Sequence, residues 1–194
     1  FARRSSPVSP PPTRASLCLL MSRKAMQRIN ALSEADAVAA FKACCGCVKY
    51  AKAMESSRPF ADADAMKARS DQIWGECGRE EILEAFLAHP KIGDKKGAEK
   101  HGGKWASNEQ KGMSAASEDT AAAMAKGNAD YETKMGFRYI VCATGKTAEE
   151  MLAILQGRIG NTPEQELANG AAEQNKITHL RLNKLLADME AGSL

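Results

Sequence analysis

Only one stretch of this chain, Phe137-Arg138-Tyr139-Ile140-Val141-Cys142-Ala143, has the β-branched and aromatic density of a strand. A lone strand offers nothing to pair with, so the chain cannot be built around a sheet. The remainder is punctuated by helix signals. Ser33, with Asp36 three residues on, resembles a capping box ahead of Val38 and Phe41, and Gly46 can end that helix. A helical stretch over about 48–55 stops before Arg58-Pro59, and Asp62 or Asp64 can start one carrying Met66, Ile73 and Trp74. Residues 79–88 place Ile82, Leu83, Phe86 and Leu87 at helical spacing, and Pro90 stops the run. Ser117 opens a helix of about 117–134 that ends at Gly136. Thr147 with Glu150 caps a helix holding Met151, Leu152, Leu155 and Ile159. Thr162-Pro163 with Gln165 opens the last and longest, over about 163–188. Seven or eight helices and one extended run predict an all-α fold, a single compact multi-helix domain without internal repeats.

The 194 residues suit one domain, 33–190, preceded by an arm, 1–32. The arm holds four of the seven prolines among serines and arginines. It reads as disordered, as an organelle-targeting segment, or as translated sequence ahead of a start at Met21. Residues 1–33 carry six of the 27 basic residues and no acid, so the net charge of +3 belongs to the arm. The body sets 21 Lys and Arg against 24 Asp and Glu, which leaves no electrostatic footprint for nucleic acid. Aromatic residues, at 5%, are too few for a base-stacking platform. No apolar run approaches the ~18 residues of a membrane span. The expected partner is a small molecule bound locally. The Gly- and Lys-rich residues 91–106 read as a surface loop.

Six cysteines include the cluster Cys44-Cys45-Gly46-Cys47. A secreted disulfide framework would spread them out, and a zinc site would want a second ligand pair. They read as small core residues in a reduced compartment, with no metal site. A redox or metal-binding role for Cys44, Cys45 and Cys47 is a rival reading.

Three polar residues stand in apolar places. Ile82, Phe86 and His89 share one helix face, and a partly desolvated histidine near neutral pKa is a natural general acid or base. The helix dipole at that C-terminal end favours the imidazolium. The bland alternative is a core histidine bonded to a carbonyl. Ile177, Arg181 and Leu185 form one row on the last helix, where a guanidinium must find an anion, in a structural pair or in a substrate. Glu109-Gln110 follows the Gly-rich loop and offers acceptors and donors to a ring bearing N–H and C=O groups, or simply starts a solvated helix. His179 is expected to face solvent, and His101 lies in the loop. Ala143-Thr144-Gly145-Lys146-Thr147 resembles the end of a phosphate loop, but Ile140 stands where the pattern needs its first glycine.

His89-Pro90-Lys91-Ile92-Gly93, Glu109-Gln110, Met135-Gly136-Phe137 through Ala143, and Glu173-Gln174 through Ile177 to Leu180-Arg181-Leu182 follow one another in this order. Together they resemble the OHCU decarboxylase family, which acts on 2-oxo-4-hydroxy-4-carboxy-5-ureidoimidazoline in urate breakdown. The likeness runs from about Phe41 to Leu186. Cys44-Cys45-Gly46 is similar to the plant form, where the domain can be fused to a transthyretin-like hydrolase, and no such domain lies within the 194 residues. The resemblance implies an all-α homodimer and a cofactor-free reaction yielding (S)-allantoin and CO2. It implies a catalytic His89 supported by Glu109 and Arg181. It also implies substrate contacts at Pro90, across Ala106, Ser107, Asn108, Glu109 and Gln110, and along Tyr139, Ile140, Val141, Cys142 and Ala143. Many members carry Ser where this chain has Ala106, so either Ser107 supplies the hydroxyl in its place or that contact is absent. A peroxisomal or cytoplasmic location is implied, with the arm as a further organelle signal, although Gly192-Ser193-Leu194 is not the Ser-Lys-Leu address.

The chemistry suits these residues, because density left by departing CO2 can pass into the substrate's own ring. The protein has to orient and desolvate the carboxylate and deliver a proton to one face. On this reading His89 handles the proton, Glu109 holds its imidazole, Arg181 binds an anionic oxygen, and Gln110 with the backbone of 139–143 reads the ring and ureido edges. The competing reading is a non-enzymatic helical binding module with Arg181 and Glu109 as a structural pair.

Overall fold

The computed structural model describes residues 14–94, 105 and 109–192, with side chains from residue 23 onward. Its described residues form eight α-helices: α1 (Arg14–Ala31), α2 (Glu34–Cys45), α3 (Val48–Ser56), α4 (Ala63–Gly75), α5 (Arg79–Leu87), α6 (Glu118–Met135), α7 (Ala148–Arg158) and α8 (Pro163–Ala191). A 3₁₀ turn, Lys111–Ala115, precedes α6. The expected caps carry these boundaries. Ser33, Asp62, Ser117, Thr147 and Thr162 each accept a backbone N–H three residues on, worth about 1 kcal/mol apiece. Gly46 (φ 92°) and Gly136 (φ 78°) end α2 and α6 in the left-handed conformation that glycine tolerates.

One expectation needs correction. The arm was drawn to residue 32, yet Ala25, Met26 and Ile29 of α1 are buried in the core. Arg58 ties down the end of α1 by donating to the carbonyls of Ile29 at 3.0 Å and Leu32 at 2.8 Å, a cation where a helix dipole favours one. Asn30 pairs with the backbone N–H and C=O of Phe60 at 2.9 and 2.8 Å. The fold therefore begins before residue 33, and residues 1–13 lie outside the described part. Residues 138–143, within the strand-like run, belong to no ladder, in keeping with the all-α expectation. Their backbone is satisfied by side chains instead. Arg158 Nη1 donates to Ile140 O at 2.8 Å, Cys142 N donates to Glu173 Oε2 at 2.8 Å, and Lys146 Nζ donates to Cys142 O at 2.7 Å.

The apolar residues gather into two clusters. One joins α1 to α4 with Leu182, Leu185 and Met189 from the end of α8. Cys44, Cys45 and Cys47 are wholly buried in it and form no disulfide, and burial raises the Cys45 and Cys47 thiol pKa values, so these cysteines pack as core. The other cluster joins Phe86, α6, the extended segment and α7 with Ile177 of α8. Helix α8, 29 residues long and so about 43 Å from end to end, passes through both. Gly170 lets it approach closely: a Cβ there would lie 2.5 Å from Phe86 Cζ. The seam between the clusters is where α8 meets the end of α5.

Candidate active site

Pro90 cannot continue α5, so the chain turns at His89, whose N–H donates to Phe86 O at 3.1 Å. The turn points His89 at α8. On that helix Gly170, Gln174, Thr178, Arg181 and Leu185 recur at spacings of three or four, making one buried stripe with polar members. His89 is 8% exposed, and its Nε2 lies 2.6 Å from Gln174 Oε1. Arg138 donates to the carbonyl of His89. Burial first, and then the positive charge of Arg181, push the imidazole pKa down to about 4, so it is neutral at pH 7. Desolvation thus outweighs the helix dipole that was expected to favour the imidazolium.

Glu109 was expected to hold that imidazole, but Gln174 does so. Glu109 is gripped by two cations instead. Arg181 donates Nε to Oε1 at 3.0 Å and Nη2 to Oε2 at 2.7 Å, and Lys184 Nζ donates to Oε1 at 2.9 Å. Desolvation alone would raise the Glu109 carboxyl, but the hydrogen bonds and charges of Arg181 and Lys184 hold it below the ordinary carboxylate range. Arg181 also donates Nη1 to Ala43 O at 3.3 Å, fixing the guanidinium against α2. The fork–fork geometry is the strong form of this pair.

The opposite wall is the extended segment. Behind it, Arg158 lies 4.9 Å over the Tyr139 ring and pairs with Glu166 at 2.7 Å. Glu166, fully buried, also accepts from Tyr131, Asn161 and Asn169 at 2.5, 2.7 and 2.8 Å. This buried network holds Ile140 O from the rear. The Tyr139 hydroxyl points towards Met151 O, 3.4 Å away.

These parts line a narrow concave cleft that opens to solvent. Of the expected residues, His89, Pro90, Glu109 and Gln110 line it from one side, and Tyr139, Ile140, Val141 and Ala143 from the other. Arg181 stands behind Glu109, not in the lining. Cys142 turns its N–H to Glu173. Ala106, Ser107 and Asn108 lie outside the described residues, as does His101. His179, 34% exposed, pairs with Asp71 at 2.7 Å on the surface, away from the site. Sequence reasoning did not assign Gln174 and Lys184 to the site. Gln174 sits seven residues before Arg181 on the same helix face, and that spacing was the available signal.

The sequence profile described as OHCU decarboxylase matches residues 30–183. This chain belongs to the OHCU decarboxylase family. It is 31% identical over 171 residues to 2-oxo-4-hydroxy-4-carboxy-5-ureidoimidazoline decarboxylase of Amia calva, covering 83% of this chain and 94% of that one. It is 35% identical over 151 residues to the Uric acid degradation bifunctional protein TTL of Arabidopsis thaliana, covering 76% of this chain but only 47% of the plant protein. A crystal structure of OHCU decarboxylase in the presence of (S)-allantoin superposes with a TM-score of 0.68 at 36% identity, over 76% of this chain and 97% of that one. The all-α fold is thus that of the OHCU decarboxylase family. No helix among the described residues is long and apolar enough to cross a membrane.

Proposed function

We infer that this chain decarboxylates 2-oxo-4-hydroxy-4-carboxy-5-ureidoimidazoline to (S)-allantoin and CO2 in urate degradation. The observation that carries the reading is one cavity bordered by a neutral His89 and an ionised Glu109, in a member of this family. When the carbon–carboxylate bond breaks, its electron pair passes into the adjacent ring C=N, whose nitrogen takes up a proton. The resulting enol then moves its hydroxyl proton to the neighbouring ring carbon. A neutral imidazole suits that transfer, since it can take the proton before returning it, and working from one wall it sets one hand of the product.

Glu109 reaches the cavity and accepts from substrate N–H groups. Arg181 acts through Glu109 and through its charge. Gln110 accepts from Gly93 N at 3.1 Å through Oε1, leaving its amide nitrogen to donate. In this segment Ile140 O, Cys142 N and Cys142 O are already engaged, so the substrate's ring edge falls to its remaining backbone groups, those of Val141 among them. Ala106, Ser107 and Asn108 complete the contacts by family resemblance. That resemblance also supports a homodimer and a peroxisomal location, to be checked by light scattering and by imaging the tagged full chain.

The closed Arg181–Glu109 pair is what a non-enzymatic module with a structural ion pair would also show. Generating the unstable substrate in situ from urate separates the two readings. The enzyme yields optically active allantoin faster than the spontaneous racemic background, whereas a binding module leaves the background unchanged. Replacing Cys44, Cys45 and Cys47 with Ala or Ser leaves turnover in place if no cysteine chemistry is involved.

A further inference from the structure

Gln174 is fully buried and is the side chain bonded to the His89 ring. An amide can present either its oxygen or its nitrogen, and the choice dictates which imidazole nitrogen carries the proton. The answer lies one turn further along α8. Thr178 Oγ1 donates its only hydrogen to the main-chain carbonyl of Gln174 at 3.0 Å. That hydroxyl can then only accept from the amide, and Gln174 Nε2 donates to it at 3.1 Å. The amide nitrogen is thereby turned to Thr178 and the oxygen to the ring, 2.6 Å from His89 Nε2.

We propose that Gln174, with Thr178 behind it, is a positioning residue that fixes the tautomer of His89, holding the proton on Nε2 and leaving the lone pair on Nδ1. A flipped amide would set its oxygen against the Thr178 lone pairs and force the hydroxyl off a buried carbonyl. Buried unpaired groups are penalised enough to hold the tautomer ratio at about tenfold or more. The Cys45 thiol also contacts Thr178, but burial keeps it protonated, and a thiol sulfur is a weak acceptor that does not draw the hydroxyl away. The other charged groups acting on His89 are Arg181 from α8, Glu109, and Arg138 from the extended segment. None of them is the group bonded to Nε2. The inference rests on the reading of His89 as the proton-transfer group only for its consequence in turnover. The tautomer itself is observable without substrate.

The test is ¹⁵N NMR of the full chain labelled at its three histidines, with His89 assigned by a His89→Asn variant. At pH 7 the wild-type spectrum should show His89 Nε2 as a pyrrole-type and Nδ1 as a pyridine-type nitrogen. Thr178→Val frees the amide to turn and should move both resonances towards a mixture, while Thr178→Ser keeps them in place. Gln174→Leu should lower kcat by about tenfold to a hundredfold, the usual effect of losing an orienting partner, with KM little changed. Gln174→Glu keeps an acceptor on Nε2 and adds a negative charge, so it should retain the tautomer and raise the acid limb of kcat/KM by about one pH unit or more. A wild-type spectrum with the proton on Nδ1 overturns the proposal even if every variant fails to fold. Unchanged resonances and pH profiles in both Gln174→Leu and Thr178→Val overturn it as well. Full turnover in His89→Asn would instead sink the functional reading, leaving the tautomer result intact.

Discussion

Arg181 holds Glu109 through two parallel hydrogen bonds, at 3.0 and 2.7 Å, with the guanidinium 6% and the carboxylate 10% exposed. Charges this far from water are stabilising only while paired, and removing one partner typically costs about 3–5 kcal/mol. Lys184 still reaches Glu109, so Arg181→Met should cost less, about 2–3 kcal/mol by urea denaturation. Pairing it with Glu109→Met removes the stranded carboxylate and should recover most of that loss. Turnover should stay abolished in the double variant. Recovered turnover would mean that the pair is only a strut.

His89 lines the cavity, and the proposed reaction makes it the proton-transfer group. His89→Ala should reduce turnover by about a thousandfold, within the usual range for general acid–base groups. The α-helical circular dichroism spectrum should not change, because α5 has already ended at Leu87.

The pH dependence of stability follows from the same histidine. Its folded pKa of about 4 lies below the ordinary 6.5, so between these values the unfolded chain binds the extra proton. Stability is therefore complete above pH 6.5, falls as pH drops towards 4, and levels off below, with a total loss of about 3 kcal/mol. Glu109, with a lowered pKa, adds a further loss as pH falls below the ordinary carboxylate value. Urea midpoints measured from pH 7.5 to 4 should show the first decline in the wild type. His89→Asn should lack it.

Ile29 is wholly buried although it lies in the stretch whose composition suggested an arm. Ile29→Ala should cost about 2–4 kcal/mol, the range for a buried aliphatic truncation. A thermal or urea transition that does not move would restore the arm to residue 32.

The helical scaffold was legible because caps are local: Ser33, Ser117, Thr147 and Thr162 act within three residues of themselves. The polar residues on apolar rows, His89 and Arg181, were legible for the same reason. Their pairing was not. Whether Glu109 or Gln174 reaches the imidazole depends on how α8 crosses the end of α5, and no helical period encodes that crossing. The run at 137–143 shows another limit. Propensity made it extended, but its partners are Arg158, Lys146 and Glu173 side chains, which no pairing rule anticipates. Helix α1 was masked by composition, since its acid-free sequence imitates a targeting segment while three of its residues pack into the core.

Gly112 ties the two walls of the site together. It sits in the 3₁₀ turn just after Gln110, and a Cβ there would lie 2.0 Å from Lys146 O. Lys146 in turn holds Cys142 O through its ammonium group. No rotamer change can relieve a clash with backbone, so Gly112→Ala must push the turn and the extended segment apart. The substrate contacts proposed for Gln110 and Val141 would then be displaced together. KM should rise about tenfold or more, since misplacement of around an ångström in a positioned site is that costly. Stability should fall as well, by about 1–3 kcal/mol for an overpacked contact. Gly157, exposed near the end of α7 with nothing within 4 Å of its would-be Cβ, is the control. Gly157→Ala should leave KM alone and stabilise by about 0.5–1 kcal/mol through the unfolded chain. Equal behaviour of the two variants would show that the close approach at Gly112 does not shape the cavity.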